Sequence, residues 1–204
     1  MTTQTKLAVR ADGSIIDDAL PAFDVVITES LVVDADVPTT YRAARTLDFL
    51  KVRTPLLDAA FWVRGLPERF GHERTGAPTR LILGAGDPLP GWLVLGEVPD
   101  TELAFGAVGK FWQGRIEWRS VERSAYTDFS EPGFGKIACA FRVKPCADGR
   151  SLLSYECRTA TTSPVARAKF ARYWRVIRPF VAYIMRATIA TIRADAEAST
   201  MEEQ

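Results

Sequence analysis

FARYWRVIRPFVAYIMRATIATIR, residues 170–193, decides how the chain is read. Phe170, Trp174, Ile177, Val181, Ile184 and Thr188 recur at steps of four and three. That spacing puts them on one face of an α-helix. Arg172, Arg175, Arg186 and Arg193 fall on the opposite side. Ser163 suits an N-cap and Pro164 the first turn. The predicted helix runs from Val165 to about Ala196, roughly 45–50 Å at 1.5 Å per residue. A membrane-spanning helix needs about 20 mostly apolar residues. The longest charge-free run around the proline is Pro179 to Met185, so this helix does not span a bilayer.

Pro179 sits in the middle of the pattern. A proline inside a helix removes one backbone hydrogen bond and crowds the preceding turn, a cost of about 3 kcal/mol. Burying five or six large apolar side chains returns roughly 1.5–3 kcal/mol each. Burial wins, so one kinked helix is expected rather than two. A kink lets a long helix follow a curved surface.

The preceding residues supply such a surface. Phe23, Val25, Ile27, Leu31 and Val33 alternate, so residues 22–34 read as a strand. Asp36 and Pro38 open a short helix with Ala43, Leu47 and Leu50 on one face; Thr54 and Pro55 open a second, stopped by Gly65 and Pro67. Residues 66–90 are rich in Gly and Pro and read as an irregular connection. Strand signals then dominate: GWLVLGEV, ELAFGAVGKFW, RIEWRSV, GKIACAFRVK and SLLSYECRTAT, with turns such as VPDT and PCADG between them. A strongly twisted sheet of six or seven strands curls. The expected fold is α+β: a curved antiparallel sheet wrapped around one long C-terminal helix.

This order resembles the helix-grip fold of the START/polyketide-cyclase (SRPBCC) superfamily, and the local sequence resembles uncharacterised bacterial members of it. Three stretches carry the resemblance: LPAFDVVITESLVVDAD with the helical pair after it (20–64), FGAVGKFWQ (105–113) and ARAKFARYWRVIRPFVAYIMRATIATIRADAE (166–197). It covers residues 20–197, which makes 1–19 an N-terminal extension and 198–204 a tail. It implies a cavity between sheet and helix that holds an apolar or amphipathic molecule. It does not imply one activity, because members include lipid carriers, aromatic cyclases and hormone receptors.

Composition narrows the field. The 204 residues fit a single domain with a sizeable core. Net charge is +1, so no global field favours nucleic acid, and no nucleic-acid motif is present. Three cysteines make no disulfide framework, and MTTQTKLAVRADGS has no apolar run of the signal-peptide kind, so a cytoplasmic protein is expected. One histidine, His72, excludes sites built on two, including most catalytic zinc centres. No metal or cofactor is expected. LGAGD (83–87) holds a Gly-x-Gly, but Pro88 and Pro90 stand where a dinucleotide fold would begin a helix. No G-x-S-x-G elbow or phosphate loop occurs.

Strand alternation sorts the cavity lining. Ile137, Cys139, Phe141 and Val143 share one face, with Lys136 and Arg142 opposite. Leu153, Tyr155, Cys157 and Thr159 share another, with Glu156 and Arg158 opposite. Leu103, Phe105, Ala107 and Phe111 form the third, with Trp112 and Lys110 facing outward. The ligand-lining set is therefore Phe105, Phe111, Cys139, Phe141, Tyr155 and Cys157 from the sheet, with Trp174, Ile177, Val181 and Ile184 from the helix. For each of these, plain core packing is the competing reading. Glu29 stands on the Phe23–Ile27–Leu31 face, where a carboxylate is costly unless paired. The helix's basic residues read as a solvated face; contact with an anionic membrane surface uses the same side chains.

Three functions fit. The first is a carrier or binding protein for a small apolar or amphipathic molecule, a lipid or an aromatic polyketide-like compound. The second is a cyclase or dehydratase that moves a proton with Glu29, Tyr155 or Tyr183. The third is an interaction module with a collapsed core. Both monomer and homodimer are compatible with the sequence, Trp112 or Trp118 being available for a dimer contact.

Overall fold

The computed structural model describes residues 13–48 and 91–202. The second helix after the first strand, the 66–90 connection, His72 and LGAGD all lie outside the described residues.

Helix α1 (Ile15–Ala19) leads into β1 (Val25–Val33) and α2 (Val37–Arg45). After the undescribed segment come β2 (Trp92–Val98), β3 (Glu102–Gly109), the two-residue β4 (Trp118–Arg119) and helix α3 (Arg123–Tyr126). Strands β5 (Gly135–Pro145) and β6 (Ser151–Thr161) form a hairpin, and α4 (Pro164–Glu202) closes the order. The six strands make one antiparallel curved sheet in the order β1-β6-β5-β3-β2, with β4 on β3. With α4 against its inner face, this is the α+β helix-grip architecture. RIEWRSV yields only β4, because the chain after β3 turns tightly, with the Gln113 N–H bonded to the Lys110 carbonyl.

Helix α4 runs unbroken through Pro179 for 39 residues. Ser163 caps it, its hydroxyl accepting from the Ala166 N–H at 3.2 Å. It continues past the expected end near Ala196. No glycine or proline stops it there, and the Ser199 and Thr200 hydroxyls bond back to the carbonyls of Asp195 and Ala196.

The β5–β6 hairpin has the register that alternation predicts. Val143 pairs with Leu153 and Cys139 with Cys157. The turn is closed by Asp148 and Gly149, both with left-handed backbone at φ 60° and 71°. A glycine takes that conformation at no steric cost.

Two cores flank the sheet. The inner one joins Leu103, Phe105, Phe141, Val143 and Leu153 to Met185, Ile189 and Ile192 of α4. The outer one places Ile16 and Leu20 against Leu95, Ala104, Tyr126 and Ala138. Residues 15–20, assigned by the sequence reading mostly to an N-terminal extension, thus fill the convex face. Strand β3 is buried along its whole length, because both its faces are covered. Gly106 fits this place because an added Cβ would lie 2.8 Å from the Ile137 carbonyl oxygen.

Charges lock α1 down. The Glu102 carboxylate accepts from the Ile15 and Ile16 N–H groups at 2.9 and 3.2 Å, filling the free donors of a helix start. Arg158 donates to Glu156 and to Asp17, each at 2.6 Å, and to the Ile16 and Leu20 carbonyls. Arg142 completes the chain by pairing with Glu156 at 2.6 Å.

Candidate functional site: the slot beneath the long helix

Helix α4 is fully buried near its two ends and only half-buried in its middle, where Trp174, Val181 and Ala182 still touch the inner core. Ala166 and Phe170 are buried near the start; Met185, Thr188, Ile189, Ile192 and Ala196 are buried in the second half. Between positions 171 and 184 no residue is buried. Trp174, Ile177, Val181 and Ile184, all expected to point inward, are half-buried. The apolar face of the helix predicts Trp174 buried between helix and sheet. Phe170 takes that place instead, with Trp174 stacked on its ring at 5.5 Å and the edge of Trp112 against it at 6.3 Å. Trp112 is therefore half-buried against α4, not bare on the outside.

The inner sheet face sorts in the same way. Leu103, Phe105, Cys139, Phe141 and Leu153 are 0–2% exposed, whereas Ile27, Tyr155 and Cys157 retain 7–9%. The little exposure left on this face lies on Ile27 of β1 and on Tyr155 and Cys157 of β6, all of them still buried. Of the expected lining, Phe105, Cys139 and Phe141 are packed among themselves, with ring centroids of Phe105 and Phe141 5.5 Å apart and those of Phe141 and Tyr155 4.5 Å apart. Phe111 lies beyond the end of β3. It packs its ring edge on Trp118 at 5.9 Å and covers Gly109 and Gly135, outside the inner core.

Where β1 meets the half-buried middle of α4 there is a crevice of about 390 Å³. Val26, Ile27, Thr28 and Glu29 line one wall; Arg178, Pro179, Ala182 and Arg186 line the other. Alternation of β1 turns Ile27, Glu29 and Leu31 toward the helix. Glu29 is paired there, with Arg186 donating to its carboxylate at 3.2 Å. In register it stands opposite Tyr155, and Ile27 stands opposite Cys157. Burial pushes the Tyr155 hydroxyl well above its ordinary pKa. Burial also pushes the Cys139 thiol up, reinforced by its hydrogen bond to Cys157. Both groups are protonated at neutral pH. Tyr183, the third acid–base candidate, is 37% exposed and shares the solvent face of α4 with Val176 and Phe180. It is not brought together with Glu29 and Tyr155.

A second crevice, about 470 Å³, lies at the far end between α2 and the hairpin turn. Asp34, Asp36, Asp148 and Arg150 make it polar. Among the described residues no cluster of His, Cys, Asp or Glu has the makings of a metal site, and no helix is long and apolar enough to cross a membrane.

Sequence reasoning missed the helix wall of the slot: Arg178, Pro179 and Ala182. The available signal was Pro179 itself. A residue without an N–H in mid-helix frees the carbonyl one turn back and bends the helix there.

No protein-family profile and no curated protein matches the chain. Solved structures do. A hypothetical protein from Helicobacter pylori is 12% identical, with 96% of this chain and 99% of that one covered and a TM-score of 0.44. Norcoclaurine synthase from Thalictrum flavum is 10% identical, with 98% and 99% covered and a TM-score of 0.39. A protein from Arthrobacter aurescens is 14% identical, with 93% and 92% covered and a TM-score of 0.38.

Proposed function

We propose that the protein binds a small apolar or amphipathic molecule in the slot between the sheet and the middle of α4. One observation carries this reading. Beside the crevice lined by Arg178, Pro179, Ala182 and Arg186, the sheet-facing side chains Trp174, Ile177, Val181 and Ile184 are only half-buried, whereas Phe170 before them and Met185 after them are fully buried. Leaving that apolar surface wet costs about 25 cal/mol per Å². An apolar guest recovers it, and ligand sites are typically apolar clefts with a few polar groups at fixed places. Arg178 and the Glu29–Arg186 pair supply the polar end, which favours an amphipathic guest over a pure hydrocarbon. The helix-grip architecture and the membership of the START/polyketide-cyclase group that the sequence suggests agree with this reading.

A cyclase-like reaction in the same slot is the second reading, favoured by one feature: Glu29 and Tyr155 are cross-strand partners. Glu29 would take a proton and Tyr155, held protonated by burial, would give one.

Native mass spectrometry of the purified protein tests the first reading, together with titration of an uncharged naphthalene-type fluorophore. A copurifying small molecule, or saturable probe binding lost in Ala182→Arg with the melting temperature kept, supports it. Absence of both, or binding indifferent to Ala182→Arg, overturns it.

A further inference from the structure

The solvent face of α4 has a composition of its own and meets the slot only along one edge, at Pro179 and Arg186. Arg172, Val176, Phe180 and Tyr183 follow one another at steps of four and three, one exposed stripe of the helix, with Pro179 and Arg186 at its edge toward the slot. Lys169 and Arg175 flank it, and Val165 extends it by two turns toward the N-terminus. Val165 and Val176 are 66% and 69% exposed, and Phe180 and Tyr183 are 40% and 37% exposed. A globular surface seldom spends apolar side chains this way without a partner. The charge is equally one-sided. From Pro164 to Ala194 the helix holds arginines and a lysine and no carboxylate, although the whole chain is nearly neutral at +1. Arg167 and Arg186 are paired to Asp24 and Glu29 on β1's side. Lys169, Arg172, Arg175 and Arg178 have no carboxylate partner among the described residues.

We infer that this face docks on an anionic lipid surface. Cations and apolar residues are interleaved on one stripe about 27 Å long from Val165 to Tyr183. A nucleic-acid surface is met mainly by cations together with hydrogen-bonding side chains. Here aliphatic and aromatic side chains stand out from a wholly basic rim. That is the pattern of a helix lying in the headgroup plane with its apolar residues dipped below it. The helix lies on the surface and does not enter it, since none in the described residues is apolar enough to span. Docking by this stripe places the slot, whose helix wall adjoins it, along the side of the helix next to the bilayer. The open rim beside Arg178 and Pro179 stays at the side, next to the headgroups.

Sedimentation of the full chain with vesicles tests this. Binding to mixed phosphatidylcholine–phosphatidylserine vesicles is expected, weak or absent on phosphatidylcholine alone, and reduced at high salt. Each cation near an anionic surface is worth about fivefold in affinity, so Arg172→Gln with Arg175→Gln lowers binding about 25-fold. Both side chains are exposed, so the double variant keeps its melting temperature, and it still takes up the fluorophore described above. Equal binding to neutral vesicles, no binding to either kind, or an unchanged affinity of the double variant would overturn the inference. So would a short DNA duplex that displaces the vesicles at matched charge, since the face would then be a general polyanion site.

Discussion

Cys139 and Cys157 stand directly opposite each other across the β5–β6 hairpin, both buried and both free thiols. The third cysteine, Cys146, sits at the turn and is only half-buried. One register therefore sets two different chemical fates within a single hairpin. A slip by one residue would flip the side chains and bring one of the pair to the outer face.

Thiol labelling reads that register. In native protein a bulky maleimide should modify Cys146 first and leave Cys139 and Cys157 almost untouched. In denaturant all three should react. Because burial raises the Cys139 pKa, moving from neutral to mildly alkaline pH should not quicken its labelling as it does for a free thiol. Labelling of Cys139 or Cys157 at the Cys146 rate would mean that the slot opens widely in solution, or that the hairpin is differently paired.

The seating of α4 makes a second prediction. Phe170 is 2% exposed and carries Trp112, Tyr173 and Trp174 against its ring. Phe170→Ala should cost about 3–5 kcal/mol, the range for deleting a core aromatic. Trp174→Ala, at a half-buried site, should cost clearly less despite removing the larger side chain. Denaturant melts decide it. If Trp174→Ala proves the costlier change, the middle of the helix is packed down in solution and the slot is closed.

Why did the sequence place Trp174 too deep? Its face is correct, since the four-three spacing fixes which side of a helix a residue occupies. Periodicity carries no information on how closely each turn approaches the sheet. The strands and the hairpin register were legible because alternation of polar and apolar residues is a local signal. Helix α1 was not, because five residues are too few to show a period. A signal for the outer core did exist. Strand β3, ELAFGAVG, has no polar residue after Glu102, and a strand without alternation is covered on both faces. Even so, the partner for its outer face, Ile16 and Leu20, lies more than eighty residues earlier, and no local pattern links them.

The outer core yields the last prediction. Arg158 is 9% exposed and ties Glu156, Asp17 and two carbonyls of the α1 segment into one network. Replacing it by Ala strands these acceptors and should cost about 3–5 kcal/mol, the usual loss when one partner of a buried ion pair is removed. Arg158→Lys keeps the charge but not the planar fork, and should fall between. The network is also pH-dependent. Burial alone would raise the Asp17 pKa; the hydrogen bonds from Ser14 and Arg158 outweigh it and hold the carboxyl below the ordinary 3.8. A carboxyl with a depressed folded-state pKa contributes stability that is present above its ordinary value. That stability is lost as pH falls through the folded value. The stability difference between the parent and Asp17→Asn should therefore be constant from neutral pH down to about pH 4 and shrink below it. Denaturant melts of both proteins across that range measure the difference. Should it stay the same down to about pH 2, the contact with α1 is carried by Glu102 and the apolar side chains, and the Arg158–Asp17 bond contributes nothing to it.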